Sequence, residues 1–166
     1  MSSDQQYSPG VKKYIEEARK NLERRQEEIA RIKKMKFDTI AVHGLYTIEE
    51  ALGQNQGAVI EPLYLASAQA YRDADELEAA LAYLIPTWCY TRIANPTTYY
   101  LERVLALLEG YETGSDTSCV VTASGMSAIM LATDAFLVKQ KEGQEKINFA
   151  SSVQVYGGTF QHFSVR

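Results

Sequence analysis

The chain has 166 residues, 46% of them apolar and 23% charged, and a net charge of −4. That apolar fraction is ordinary for a globular domain and excludes a disordered or collagen-like chain. No apolar run approaches the roughly 18 residues that a membrane span needs. The first residues carry no basic and apolar leader pattern, and Cys89 and Cys119 make neither a C-x-x-C pair nor a metal-ligand spacing. A cytoplasmic protein with reduced thiols and no metal is expected.

The charge is unevenly placed. Val11 to Lys36 hold ten Lys/Arg against five Glu, leaving seven Lys/Arg against sixteen Asp/Glu elsewhere. A basic segment on an acidic body can serve nucleic acid or an acidic membrane surface. Here the basic residues are interleaved with Glu, which favours docking on an acidic body, its own or a partner's, so neither nucleic acid nor membrane is expected as a partner.

In that segment Ser8 and Pro9 supply an N-cap and a first-turn proline. Val11, Ile15, Ala18, Leu22, Arg25, Ile29 and Ile32 then recur at alternating spacings of four and three. The spacing predicts one helix from about Pro9 to Met35, with a narrow heptad seam interrupted at Arg25. Glu16–Lys20 and Glu27–Arg31 add favourable i,i+4 pairs of roughly 0.2–0.5 kcal/mol each. Such a seam predicts a helix lying on a neighbouring subunit, with Ile15, Leu22 and Ile29 exposed in a single chain.

From Phe37 to Asn95 the pattern is irregular, punctuated by Gly44, Gly53, Gly57, Pro62 and Pro86, with a short amphipathic helix between Asp73 and Tyr83. A long irregular stretch is usually functional or wraps a partner. Asn95-Pro96 repeats the cap-plus-proline signal, and Tyr100, Leu101, Val104, Leu107 and Leu108 form one helical face that ends at a C′ glycine, Gly110. Ser118 to Thr122 is a short apolar strand by composition, Ala128 to Val138 an apolar helix, and Ile147 to Ala150 a second strand. Strand, apolar crossover and strand make a βαβ unit, which predicts a mainly parallel sheet.

Three places could carry chemistry. Ser124-Gly125-Met126 sits between the first strand and a helix N-terminus, where free amides and the helix dipole favour an anion, although small-residue turns are also common as plain structure. Tyr156-Gly157-Gly158 follows the second strand, at the edge where open α/β sheets place ligands; Tyr156 either stacks on a flat cofactor or fills a crevice. Tyr90 and Arg92 put a phenol and a guanidinium on the same side of an extended segment. Both donate well to phosphate, and both are also ordinary surface groups.

In order along the chain, Tyr90-Thr-Arg-Ile-Ala-Asn-Pro-Thr-Thr98, Leu107-Leu-Glu-Gly110, Thr122-Ala-Ser-Gly-Met126 and Tyr156-Gly-Gly-Thr159 resemble the pyridoxal 5'-phosphate enzymes of transsulfuration. That family includes cystathionine γ-synthase, methionine γ-lyase and O-acetylhomoserine sulfhydrylase, and the resemblance runs from about Phe37 to Arg166. It implies an α/β fold, the N-terminal portion of an aspartate aminotransferase-like large domain. Residues 1–36 would be a helical extension, 37–95 an arm reaching the neighbouring subunit of a homodimer or homotetramer, and 96–166 the incomplete start of the cofactor domain. The resemblance places Ser124, Gly125 and Met126 at the cofactor phosphate, with Tyr90 and Arg92 reaching the same phosphate from the other subunit. Tyr156 would stack on the pyridine ring and serve in proton transfer.

The family's Schiff-base lysine, its pyridine-facing aspartate and a phosphate-binding serine fall beyond Arg166. Lys139, Lys141 and Lys146 sit in or beside a solvated loop and offer no substitute, so these 166 residues alone are not expected to catalyse. The stretch before Ser124 is a few residues longer than the family's, an insertion placed at Tyr111 to Thr117, and the basic helix has no family counterpart. The motifs look most like O-acetylhomoserine sulfhydrylases acting on a homoserine ester. Gly158 stands where methionine γ-lyases usually carry a cysteine. Alternatives are cystathionine γ-synthase or methionine γ-lyase activity on a related ester or thioether, or a non-catalytic assembly module that keeps relic motifs.

Overall fold

The computed structural model describes residues 7–137 and 149–165. Seven helices form among the described residues: α1 (Pro9–Ile32), α2 (Phe37–His43), α3 (Ile48–Gln54), α4 (Ala74–Leu81), α5 (Pro96–Glu109), α6 (Gly125–Leu137) and α7 (Gly157–Val165). The chain divides into two compact units, Met1–Cys119 and Val120–Arg166.

In the first unit α1 begins as its sequence dictates, with Pro9 in the first turn and the Ser8 hydroxyl accepting the Val11 amide at 3.1 Å. It stops at Ile32, a turn short of Met35. Ile32 is buried with Ile40 of α2 and Leu45, and the chain reverses through Lys33 and Lys36 to make that contact. At its other end Val11 and Tyr14 close a second cluster with Ala79 of α4. Ile40, Leu45 and Val11 are fully enclosed, each contributing roughly 1.5–3 kcal/mol by leaving water.

This corrects the expected exposed seam. Ile15 and Ile29 pack on the two clusters of their own chain, and Leu22 between them is exposed. The helix is held at both ends by its own unit.

Capping follows the sequence closely. Thr47 and Glu50 form a reciprocal capping box at α3, Asp73 caps α4 by accepting the Glu76 amide, and Asn95 caps α5 by accepting the Thr97 amide. Gly44 is required by conformation, with φ at +58° after α2. Gly110 follows α5 as expected but in a right-handed conformation, φ −84°. Its reason is space: a Cβ there would lie 2.7 Å from the Ser115 carbonyl oxygen.

The expected parallel sheet does not form among the described residues. Ser118 to Thr122 is irregular, Val120 is exposed, and Phe149 and Ala150 run without strand pairing; Ile147 and Asn148 lie outside the described residues. An apolar segment becomes a strand only when a neighbour supplies ladder hydrogen bonds, and the one β-bridge among these residues joins Ala68 to Tyr90, antiparallel.

In the second unit α6 and α7 meet through a polar contact, and an aromatic stack from the segment before α7 braces that helix. Thr133 is within 3.3 Å of His162 Nε2, and Phe149 stacks on Phe163 at 5.8 Å. The apolar residues of α6 stay open, with Met130, Leu131 and Phe136 all exposed.

Candidate functional site

The Tyr90–Arg92 segment is built from the backbone outward. The Thr91 amide donates to the Ser67 carbonyl at 3.0 Å, and the Thr91 hydroxyl donates to the carbonyl of Ala66. Ile93 and Ala94 then turn their amides back onto the Tyr90 carbonyl. Asn95, nearly fully buried, locks the turn: its amide nitrogen donates to the carbonyl of Tyr64 at 3.0 Å and to the Thr91 hydroxyl at 3.1 Å. The backbone is therefore fixed while the Tyr90 and Arg92 side chains are exposed. Arg92 has no ion-pair partner among the described residues. Sequence reasoning read Asn95 as a helix cap alone. Its second role shows only once Tyr64, 31 residues earlier in the chain, is alongside.

In the second unit Ser124 precedes α6 and caps it, its hydroxyl accepting the Ser127 amide at 3.2 Å and its carbonyl the Ala128 amide at 3.1 Å. The amides of Gly125 and Met126 come before these bonds and have no intrahelical acceptor by position. A Cβ on Gly125 would meet nothing within 4 Å, so the approach to this helix start is open.

Tyr156 precedes α7, so the expected Tyr-Gly-Gly-Thr turn is the entry to a helix. The ring is 74% exposed, unlike a tyrosine filling a core. It flanks Gly158, where a Cβ would lie 2.8 Å from the Tyr156 ring and 3.3 Å from the Met126 sulfur. The Thr159 hydroxyl reaches that same sulfur at 3.6 Å. The start of α6 and the start of α7 are thus brought together inside one unit, and Thr159, which the motif reading passed over, helps join them.

A different polar centre lies in the first unit. Arg25, the polar residue in the helical seam, pairs with Glu28 at 3.0 Å and Glu50 at 3.4 Å and donates to the Leu45 carbonyl at 3.1 Å. Glu50 also accepts the Tyr100 hydroxyl at 2.8 Å. Burial works to lower the Arg25 pKa, but Glu50 and Glu28 outweigh it and raise the value. Burial first, and then the bond to Glu50, push the Tyr100 phenol well above its ordinary range. Both groups are held in one charge state, which suits a structural node and not proton transfer.

Within the second unit, then, the start of α6 lies beside an exposed aromatic ring, and within the first a fixed backbone turn carries an exposed phenol and guanidinium. The chain belongs to the Cys/Met metabolism PLP-dependent enzyme family, whose profile matches residues 38–166. It is 30% identical over 131 residues to O-acetyl-L-homoserine sulfhydrylase 1 of Thermus thermophilus, covering 79% of this chain and 28% of that protein. It is 34% identical over 129 residues to O-acetyl-L-homoserine sulfhydrylase of Leptospira meyeri, covering 75% and 25%. With L-methionine gamma-lyase of Pseudomonas deceptionensis the identity is 38% over 93 residues, covering 56% and 21%. The chain thus spans about a quarter of the length of the curated relatives it matches. No solved structure matches it.

Proposed function

We propose that this chain is the N-terminal part of a pyridoxal phosphate enzyme of sulfur amino-acid metabolism that exchanges or eliminates the γ-substituent of a homoserine ester. The observation that carries the reading is the meeting of the α6 start with Tyr156 in one unit, in a chain whose family is pyridoxal phosphate dependent. Bound pyridoxal phosphate supplies the electron sink that lets a proton leave the substrate Cα. The amides of Gly125 and Met126, with Ser124 ordering the turn, hold the phosphate at the positive end of α6. Tyr156 lays its ring on the pyridine and moves a proton with its hydroxyl. Tyr90 and Arg92 serve the phosphate of a neighbouring subunit, which makes the cofactor site and the homo-oligomer one assembly. On this reading residues 1–36 form an extension, 37–95 the arm, and 96–166 the start of an aspartate aminotransferase-like α/β domain.

The sulfhydrylase assignment leans on relatives of that name; the gamma-lyase and a Cystathionine gamma-synthase of Escherichia coli define the competing activities. The test supplies the intact protein with pyridoxal phosphate and records its visible absorption and its products. Homocysteine from O-acetyl-L-homoserine and sulfide supports the proposal. Cystathionine formed with cysteine, or a keto acid released from methionine, reassigns the activity within the family. No visible cofactor band favours the assembly reading.

A further inference from the structure

α1 precedes the residues 38–166 that the family profile matches, and the loop from Tyr111 to Thr117 follows α5. They meet. Lys33, just after α1, pairs with Asp116 at 2.6 Å, Phe37 packs edge-on against Tyr111 at 5.6 Å, and the Thr117 hydroxyl donates to the Ala106 carbonyl of α5. Between them lies a cavity of about 310 Å³, at the lower end of the roughly 300–1,000 Å³ typical of small-molecule sites.

The wall of this cavity is chemically divided. Ile29, Ile40 and Leu107 give it an apolar side, while Lys33, Arg103 and Asp116 are its three charged residues. Arg103 is half-buried on α5 and has no ion-pair partner among the described residues. Lys33 first, and then Arg103, hold the Asp116 carboxyl below its ordinary value, and two cations against one carboxylate on the same wall favour an added carboxylate. Asp116 offers the opposite charge on the same wall, and nearly all of its side chain is exposed and open to a second partner.

We propose that this cavity is a binding site for a small α-amino acid with an apolar side chain. Its carboxylate meets Arg103 and Lys33, its ammonium meets Asp116, and its side chain lies on Ile29 and Leu107. Occupancy ties α1 and the 111–117 loop to α5, so the ligand acts as a clamp on the helix that precedes the family match. The proposal stands apart from the cofactor reading, because none of these residues belongs to that site.

The test is isothermal titration of the full chain with L-leucine, with isovalerate and isoamylamine as probes lacking the ammonium and the carboxylate. Leucine should bind at one site, and each probe at least tenfold more weakly. Arg103→Gln should weaken leucine binding at least tenfold, and so should Lys33→Gln, an exposed change that leaves the fold intact. Lys12→Gln, an exposed change on α1 outside the cavity lining, should bind leucine as the unaltered chain does. Absence of leucine binding, equal affinity for isovalerate, or unchanged affinity in both the Arg103→Gln and Lys33→Gln chains would overturn the proposal.

Discussion

The two units differ most in what they bury. Every fully buried apolar side chain among the described residues lies in the first unit, from Val11 to Ala106, while the second buries only Thr133 and Thr159. Yet α6 is among the most apolar segments of the chain. The first unit closes its cores with its own helices; the second, among the described residues, leaves Met130, Leu131 and Phe136 of α6 exposed within its own unit. An open apolar face of this kind marks a surface made to be covered, and a sheet is what covers such a helix in α/β folds.

Substitutions sharpen that contrast, and core truncation should show it most strongly. Ile40→Ala should cost about 2–5 kcal/mol in urea unfolding, by lost burial and the cavity left behind. Leu131→Ala on α6, half exposed, should change stability by no more than about 0.5 kcal/mol. Equal losses at the two positions would erase the difference between the units.

Next comes the polar node. Arg25→Ala removes the partner of Glu50 and Glu28 and of the Leu45 carbonyl, at a cost of about 1–3 kcal/mol, again read by urea unfolding. Of comparable size, but read in binding, Arg92→Ala should lower pyridoxal phosphate affinity of the intact enzyme by about ten- to a hundredfold, the loss of a charged hydrogen bond of roughly 1.5–3 kcal/mol. Dimer stability should fall with it, measured by sedimentation, since one group would serve both.

A pH effect is expected where α1 meets α4. The Tyr14 hydroxyl donates to Asp73 at 2.7 Å. That bond first, then burial, push the phenol up to about 12, and the same bond holds the Asp73 carboxyl below its ordinary value. A raised phenol stabilises the fold below its ordinary pKa of 10.0, and the contribution is lost as pH rises through about 12. A lowered carboxyl stabilises above its ordinary 3.8, and that contribution is lost as pH falls through its lowered value. Tyr14→Phe should flatten both limbs of a plot of melting temperature against pH. The smallest effect belongs to the solvated face of α1: Glu16→Gln, which loses exposed pairs with Arg19 and Lys20, should shift unfolding by no more than about 0.5 kcal/mol.

The sequence was most legible where one short stretch decides the outcome. Ser8-Pro9, Asp73 and Asn95-Pro96 announce the starts of α1, α4 and α5, because a cap and its helix are neighbours in the chain. The seam of α1 was legible as a helix but not as to what it touches. One partner, Ala79, lies more than 60 residues along the chain, and the segment around Ile40 carries no strong periodicity. Arg25 looked like a flaw in an apolar pattern; only Glu50, 25 residues away, shows it to be a node. The strand at Ser118 to Thr122 failed for the related reason that composition proposes a strand and only a pairing partner makes one. For the candidate site, the resemblance named Gly125, Met126 and Tyr156, whereas the contacts of Asn95 and Thr159 are ones that no local pattern encodes.

The central claim, that the start of α6 holds a cofactor phosphate beside Tyr156, is open to one direct measurement. Amide chemical shifts of the isotopically labelled chain, followed during titration with pyridoxal phosphate, report each backbone N–H separately. The account predicts that Gly125 and Met126 move most, together with the Tyr156 ring resonances, and that Gly125→Val abolishes the response. If those amides stay still while the largest changes fall elsewhere, the start of α6 is a plain helix cap and the cofactor reading of this site is wrong.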